Sequence, residues 1–75
     1  MYLYYKNALG KYTFLGEATL ETAQGMIVNH VHKLNPNYRI YYIRQLGPYE
    51  DGSFSYDVGS HSEFFYLYKE ARKDA

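Results

Sequence analysis

The chain has no cysteine, no tryptophan and only two prolines. Without cysteine there are no disulfides and no thiolate metal sites. A short domain without staples is more comfortable in a reducing compartment, so the expected location is cytoplasmic. An excess of one charge is also missing, since eight Lys/Arg balance eight Asp/Glu. A neutral chain has no global field to steer it toward nucleic acid or an anionic membrane. No apolar run approaches the roughly 18 residues of a membrane span. The opening Met-Tyr-Leu-Tyr-Tyr-Lys carries neither the basic leader nor the apolar run of a signal peptide.

What the chain has in quantity is tyrosine: eleven, with four phenylalanines, in 75 residues. A chain of this length has room for one core, and large rings help a small domain bury enough surface. Tyrosine also suits half-buried sheet faces and contact surfaces, because its hydroxyl can stay wet. One domain is expected over residues 1–69, followed by a charged tail over 70–75.

The patterning predicts β-β-α-β-β-β. Tyr2 to Lys6 and Tyr12 to Glu17 read as a hairpin across Asn7–Lys11, whose Asn and Gly tolerate turn conformations. Leu20, Ala23, Ile27, Val31 and Leu34 then recur at helical spacing. Thr19 is the expected N-cap, Glu21 and Lys33 complement the helix dipole, and Asn35-Pro36 stops the helix. Gly25, costly inside a helix, is explained by close packing on an aromatic neighbour. Tyr38 to Leu46 carries bulky residues on both alternating faces, which places it inside a sheet. Ser53 to Val58 alternates as a half-exposed strand, and Glu63 to Tyr68 follows as a fifth. These elements make an α+β domain. The expected sheet is antiparallel in the order 2-1-3-4-5, with a right-handed helical crossover behind strand 1. Five strands span about 20 Å and one helix covers about 10 Å, so tyrosines on the remaining surface face water or a partner.

Three clusters are candidates for chemistry. Asp57, Ser60, His61, Ser62 and Glu63 share one turn, but a catalytic triad needs members held apart by a rigid frame. Hydrogen bonding within the turn, with Gly59 at an unusual φ, explains them better. His30 and His32 diverge by about 200° on a helix and cannot share an ion. His30 is expected at the border of the apolar stripe and His32 in solvent. Arg39 and Arg44 flank Tyr41 and Tyr42, a composition that single-strand nucleic-acid modules use for stacking. The two arginines, five positions apart, point to opposite faces, and snorkelling on a tyrosine-rich sheet explains them better. No phosphate loop or carboxylate pair stands at a recognisable catalytic spacing, so neither cofactor nor metal is expected.

Glu50-Asp51-Gly52, then Tyr56-Asp57-Val58-Gly59-Ser60-His61-Ser62-Glu63-Phe64-Phe65, with Thr19-Leu20-Glu21 at the helix start, resembles small uncharacterised proteins encoded by phages and prophages of Gram-positive bacteria. The resemblance implies an accessory protein in the cytoplasm of the bacterial host and brings no known activity with it. The expected function is non-enzymatic binding of another protein, through a tyrosine-rich sheet face or the turn at residues 59–62. The candidate residues are Arg39, Tyr41, Tyr42, Arg44, Tyr56, Ser60, His61 and Tyr66. Single-stranded nucleic-acid binding through Tyr41 or Tyr42 is the alternative, and a homodimer is compatible with both. No membrane partner is expected.

Overall fold

The computed structural model describes residues 1–59 and 64–73. The elements follow in the expected order: β1 (Tyr2–Lys6), β2 (Tyr12–Glu17), α1 (Ala23–Leu34), β3 (Ile43–Leu46), β4 (Phe54–Val58) and β5 (Phe64–Tyr68). All strand pairs are antiparallel. The domain is α+β, one five-stranded sheet with a single helix.

The strand order is β2-β1-β5-β4-β3, which corrects the expected 2-1-3-4-5. β1 pairs with the last strand instead of the third. Tyr2 to Lys6 opposes Tyr68 to Phe64 in unbroken register. β5 is thereby central, and β3 is an edge strand. The Tyr38–Leu46 run is therefore not the interior strand its apolar pattern suggests. Only its last four residues are strand, and the part before them lies against the core. Tyr38 and Ile40 pack there, beside Ile43 of the strand, so these residues are satisfied by covering the sheet rather than by joining its interior, while Tyr41 and Tyr42 stay exposed. The crossover correction follows, because β2 and β3 lie at opposite edges and the helical connection spans the whole sheet.

Register assigns the two faces. Leu3, Phe65, Leu67, Tyr56 and Val58 are fully buried together with Ala23 and Ile27. The helix therefore covers the face that carries Leu3 and Tyr5 on β1. His30 lies in this layer, its ring 4.9 Å from Tyr5 and 5.9 Å from Phe65. Met26 covers the bulge in β2, where Leu3 opposes Gly16 and Tyr4 opposes Phe14, leaving Leu15 as the extra residue. Gly59 has φ +63°, and a Cβ there would overlap the Tyr38 hydroxyl. Glycine is required at this point both for the left-handed backbone and for the ring lying on it.

The helix begins three turn residues later than its pattern suggests. Thr22 is the N-cap and makes no side-chain cap bond. Thr19 instead organises the preceding turn, its Oγ1 accepting from the Glu21 and Thr22 amides. Glu21 consequently lies outside the first helical turn. At the other end Asn35 caps as expected, its N–H donating to the Val31 carbonyl, with His32 and Lys33 in the last turn. Of the apolar stripe, Ala23, Ile27 and Val31 are buried while Leu20 and Leu34 are exposed. Gly25 has no heavy atom within 4 Å of the position a Cβ would occupy, so the expected aromatic contact is absent. β4 is not half-exposed. Ser53 and Ser55 are buried, because β4 has a strand on either side and Tyr49 folds over it, its hydroxyl 2.6 Å from Ser55 Oγ.

Candidate functional site: the open aromatic face

Residues pointing away from the helix gather on β2, β1 and β5. Tyr2, Tyr4 and Lys6 alternate with the core residues of β1, and cross-strand pairing sets Tyr68 and Tyr66 beside Tyr2 and Tyr4. Phe14 faces Tyr4 and Tyr12 faces Lys6 from β2. The six rings form a continuous network. Tyr4 touches Tyr12, Phe14 and Tyr68 at centroid distances of 6.1, 5.2 and 5.8 Å. Tyr2 meets Phe14 at 6.3 Å, Tyr12 meets Tyr66 at 6.0 Å, and Tyr66 stacks on Tyr68 at 6.0 Å. Cross-strand aromatic pairs of this kind are favourable and hold the rings in place.

Two cations lie on these rings. Lys6 Nζ is 5.5 Å from the Tyr12 centroid, and the Arg72 guanidinium is 4.2 Å from Tyr12 and 5.1 Å from Tyr68. The Arg72 amide also donates to Tyr4 Oη at 2.8 Å. The segment after β5 therefore returns across the face instead of fraying. This explains why Tyr4 is only 2% exposed although it faces away from the helix. The Tyr68 hydroxyl is 3.4 Å from that of Tyr12. Burial, and after it the neighbouring Tyr12, push the Tyr68 phenol well above its ordinary pKa. Phe14, 49% exposed, is the most open ring of the six. A cleft of about 550 Å³ opens beside the returning segment, lined by Tyr49, Glu50, Asp51, Ser53, Tyr66, Tyr68 and Arg72. In its wall Asp51 accepts hydrogen bonds from the Ser53 hydroxyl and amide, which hold its carboxyl below the usual range.

The expected site residues scatter over this frame. Tyr66 belongs to the open face. Tyr56 is fully buried on the helix side, its hydroxyl donating to Gln45 Oε1 at 3.0 Å, which leaves it no surface to offer a partner. Desolvation raises its phenol pKa. Tyr41 and Tyr42 are exposed at the far edge, in the stretch leading into β3. Arg44 bridges Asp57 at 2.7 Å, and Arg39 is exposed before the strand begins. Ser60 and His61, with Ser62 and Glu63, lie outside the described residues. His32 is exposed, with Nε2 3.1 Å from the Tyr38 carbonyl. Among the described residues no group of three or more His, Asp or Glu side chains could hold a metal. Nor, among them, is any helix long and apolar enough to cross a membrane.

Tyr2, Tyr4, Tyr12, Phe14, Tyr68, Lys6 and Arg72 were absent from the expected site. Alternation in β1 and β5 is aromatic on both sides, so the sequence does not say which set faces out. One signal was available. Lys6 shares a parity with Tyr2 and Tyr4, and a lysine marks the wetter face of a strand. No family model matches the chain, and no curated protein or solved structure matches it either.

Proposed function

We propose that this chain is a non-enzymatic binding protein that receives another protein on the open face of β2, β1 and β5. The observation that carries the reading is the six-ring network with Lys6 and Arg72 lying on it. Clustered Tyr and Phe with an arginine is the composition enriched at protein contact surfaces. The rings are fixed by their neighbours, so little side-chain entropy is lost when a partner docks. The similarity of Tyr56–Phe65 to phage and prophage proteins supports an accessory role in a bacterial cytoplasm.

Single-strand nucleic-acid binding is supported less well. Tyr41 and Tyr42 lie at the edge away from this face, and Arg44 is engaged by Asp57. On the open face, the two cations occupy ring surfaces on which bases would stack.

The test compares capture by the immobilised wild type with capture by Phe14→Ala and Tyr66→Ala variants whose folding is verified by amide NMR. A protein retained by the wild type and lost from both variants is the expected result. Equal retention by all three refutes the open face as the contact. A parallel titration with a mixed-sequence single-stranded oligonucleotide is expected to leave the Tyr12 and Tyr66 amides unmoved. Salt-sensitive shifts there would favour the nucleic-acid reading.

A further inference from the structure

We propose that the outer edge of β3, which pairs with no further strand among the described residues, is a self-recognition edge, on which a second copy of this chain adds antiparallel to give a symmetric dimer. The inference is independent of the open aromatic face.

The two sheet edges are built differently. β2 is interrupted by the bulge at Leu15 and by Gly16 at φ +132°, devices that blunt an edge against pairing. β3 has no bulge in its ladder with β4, from Ile43 opposite Val58 to Leu46 opposite Ser55. The Gly59 amide donates to the Tyr42 carbonyl at 2.9 Å, so the Tyr42 peptide groups face β4. By antiparallel alternation those of Arg44 and Leu46 do too, while those of Ile43 and Gln45 point outward. An outward row of backbone donors and acceptors is a template for another strand. Large apolar side chains collect along the same edge, with Tyr41 72%, Tyr42 46% and Leu46 38% exposed.

Side-chain chemistry selects one register. With Ile43 opposite Ile43 of the second copy, all outward-facing residues pair with outward-facing residues, Tyr41 meeting Gln45 of the other chain. Tyr42 then stands opposite Arg44 of the second copy, twice by symmetry, in the closely spaced non-hydrogen-bonded positions where side chains touch. Each guanidinium can lie on a tyrosine ring while keeping its Asp57 partner, because its donors lie in the ring-parallel plane. The neighbouring registers are worse. Centring on Arg44 opposes two arginines at the closest spacing. Centring on Gln45 draws Gly47-Pro48 into the ladder, where glycine and proline weaken it. The favoured register adds only Tyr41 and Tyr42 to the strand, whereas centring on Tyr42 extends the ladder to residues 38–40, from which Tyr38 and Ile40 turn into the core. The twofold axis of the favoured pair is perpendicular to the sheet, so both open aromatic faces lie on the same side of one continuous sheet.

Sedimentation equilibrium from roughly 1 µM to 1 mM tests the proposal. The wild type is expected to associate reversibly into dimers. Tyr42→Lys sets a lysine against each Arg44 and is expected to raise the dimer Kd by roughly tenfold or more. Tyr42→Glu offers each Arg44 a carboxylate and is expected to retain the dimer with added salt sensitivity. Opposite behaviour of these two variants identifies the register, because pairing centred on Arg44 sets Tyr42 against Leu46 of the second copy and pairing centred on Tyr42 sets it against itself, and in both cases either charge weakens the dimer. If Tyr42→Lys does not fold, Tyr41→Pro, at a position 72% exposed, removes the outward amide that meets Gln45 of the second copy and is expected to abolish the dimer. A wild type that stays monomeric throughout overturns the proposal. So does a dimer that treats the two Tyr42 variants alike, or one lost in Phe14→Ala.

Discussion

Adjacent phenylalanines on β5 provide the sharpest test of which face the helix covers. Phe65 has no exposed surface, and its ring sits 5.1 Å from Tyr5 and 5.9 Å from His30. Phe64 is one residue away, points to the opposite face, and is 38% exposed. Phe65→Ala removes a fully packed ring from the central strand and leaves a cavity under α1, for a loss of about 3–5 kcal/mol. The transfer contribution alone agrees: an aromatic side chain buries roughly 150–250 Å², worth about 4–6 kcal/mol at 25 cal/mol per Å² as an upper bound. Phe64→Ala leaves no enclosed cavity and is expected to cost about 1 kcal/mol. A domain of this size has roughly 4–11 kcal/mol in total, so Phe65→Ala brings it close to unfolding. Urea denaturation followed by tyrosine fluorescence and far-ultraviolet circular dichroism measures both variants. The melting temperatures are expected to differ from each other by about 10 °C or more. An equal or larger loss for Phe64→Ala would reverse the assignment of the two faces and refute the open aromatic surface with it.

Two further outcomes follow from individual residues. Gly25 is exposed in the first turn of the helix with free space around its Cβ position, so Gly25→Ala is expected to stabilise by about 0.5 kcal/mol in the same urea titration. A loss of stability would refute the open space around this position. Tyr68 and Tyr56 have phenol pKa values raised above 10.0 in the fold. In the unfolded chain these phenols ionise first, so their contribution is fully present below pH 10 and is lost as the pH rises through the folded values. Stability measured from pH 8 upward is expected to be flat and then to fall above about 10, and Tyr68→Phe should flatten the fall.

The sequence carried the elements well where periodicity and turn chemistry agree. β1 and β2 have their expected bounds, β4 starts one residue later than expected, and β5 runs from Phe64, the expected start at Glu63 lying outside the described residues. The stop at Asn35-Pro36 was written locally, because proline restricts the residue before it whatever surrounds it. The helix start was less legible, since Thr19 and Thr22 both offer a hydroxyl and only the packed turn decides which residue opens the helix. Tyr38–Leu46 was misread because apolar residues on both alternating faces describe two situations. A strand covered on both sides has that pattern, and so does an irregular segment that itself acts as cover.

Sequence alone determined the α+β class, one helix with a core stripe of Ala23, Ile27 and Val31, and a surplus of rings too large for one helix to hide. Those properties depend on neighbours three or four positions away or on totals. The pairing of β1 with β5, the edge position of β3, and the choice of Tyr4 over Tyr5 as the outward ring were decided only in three dimensions. Each depends on contact between residues about sixty positions apart in the chain. No local propensity distinguishes two tyrosines side by side on one strand until the helix settles on a face.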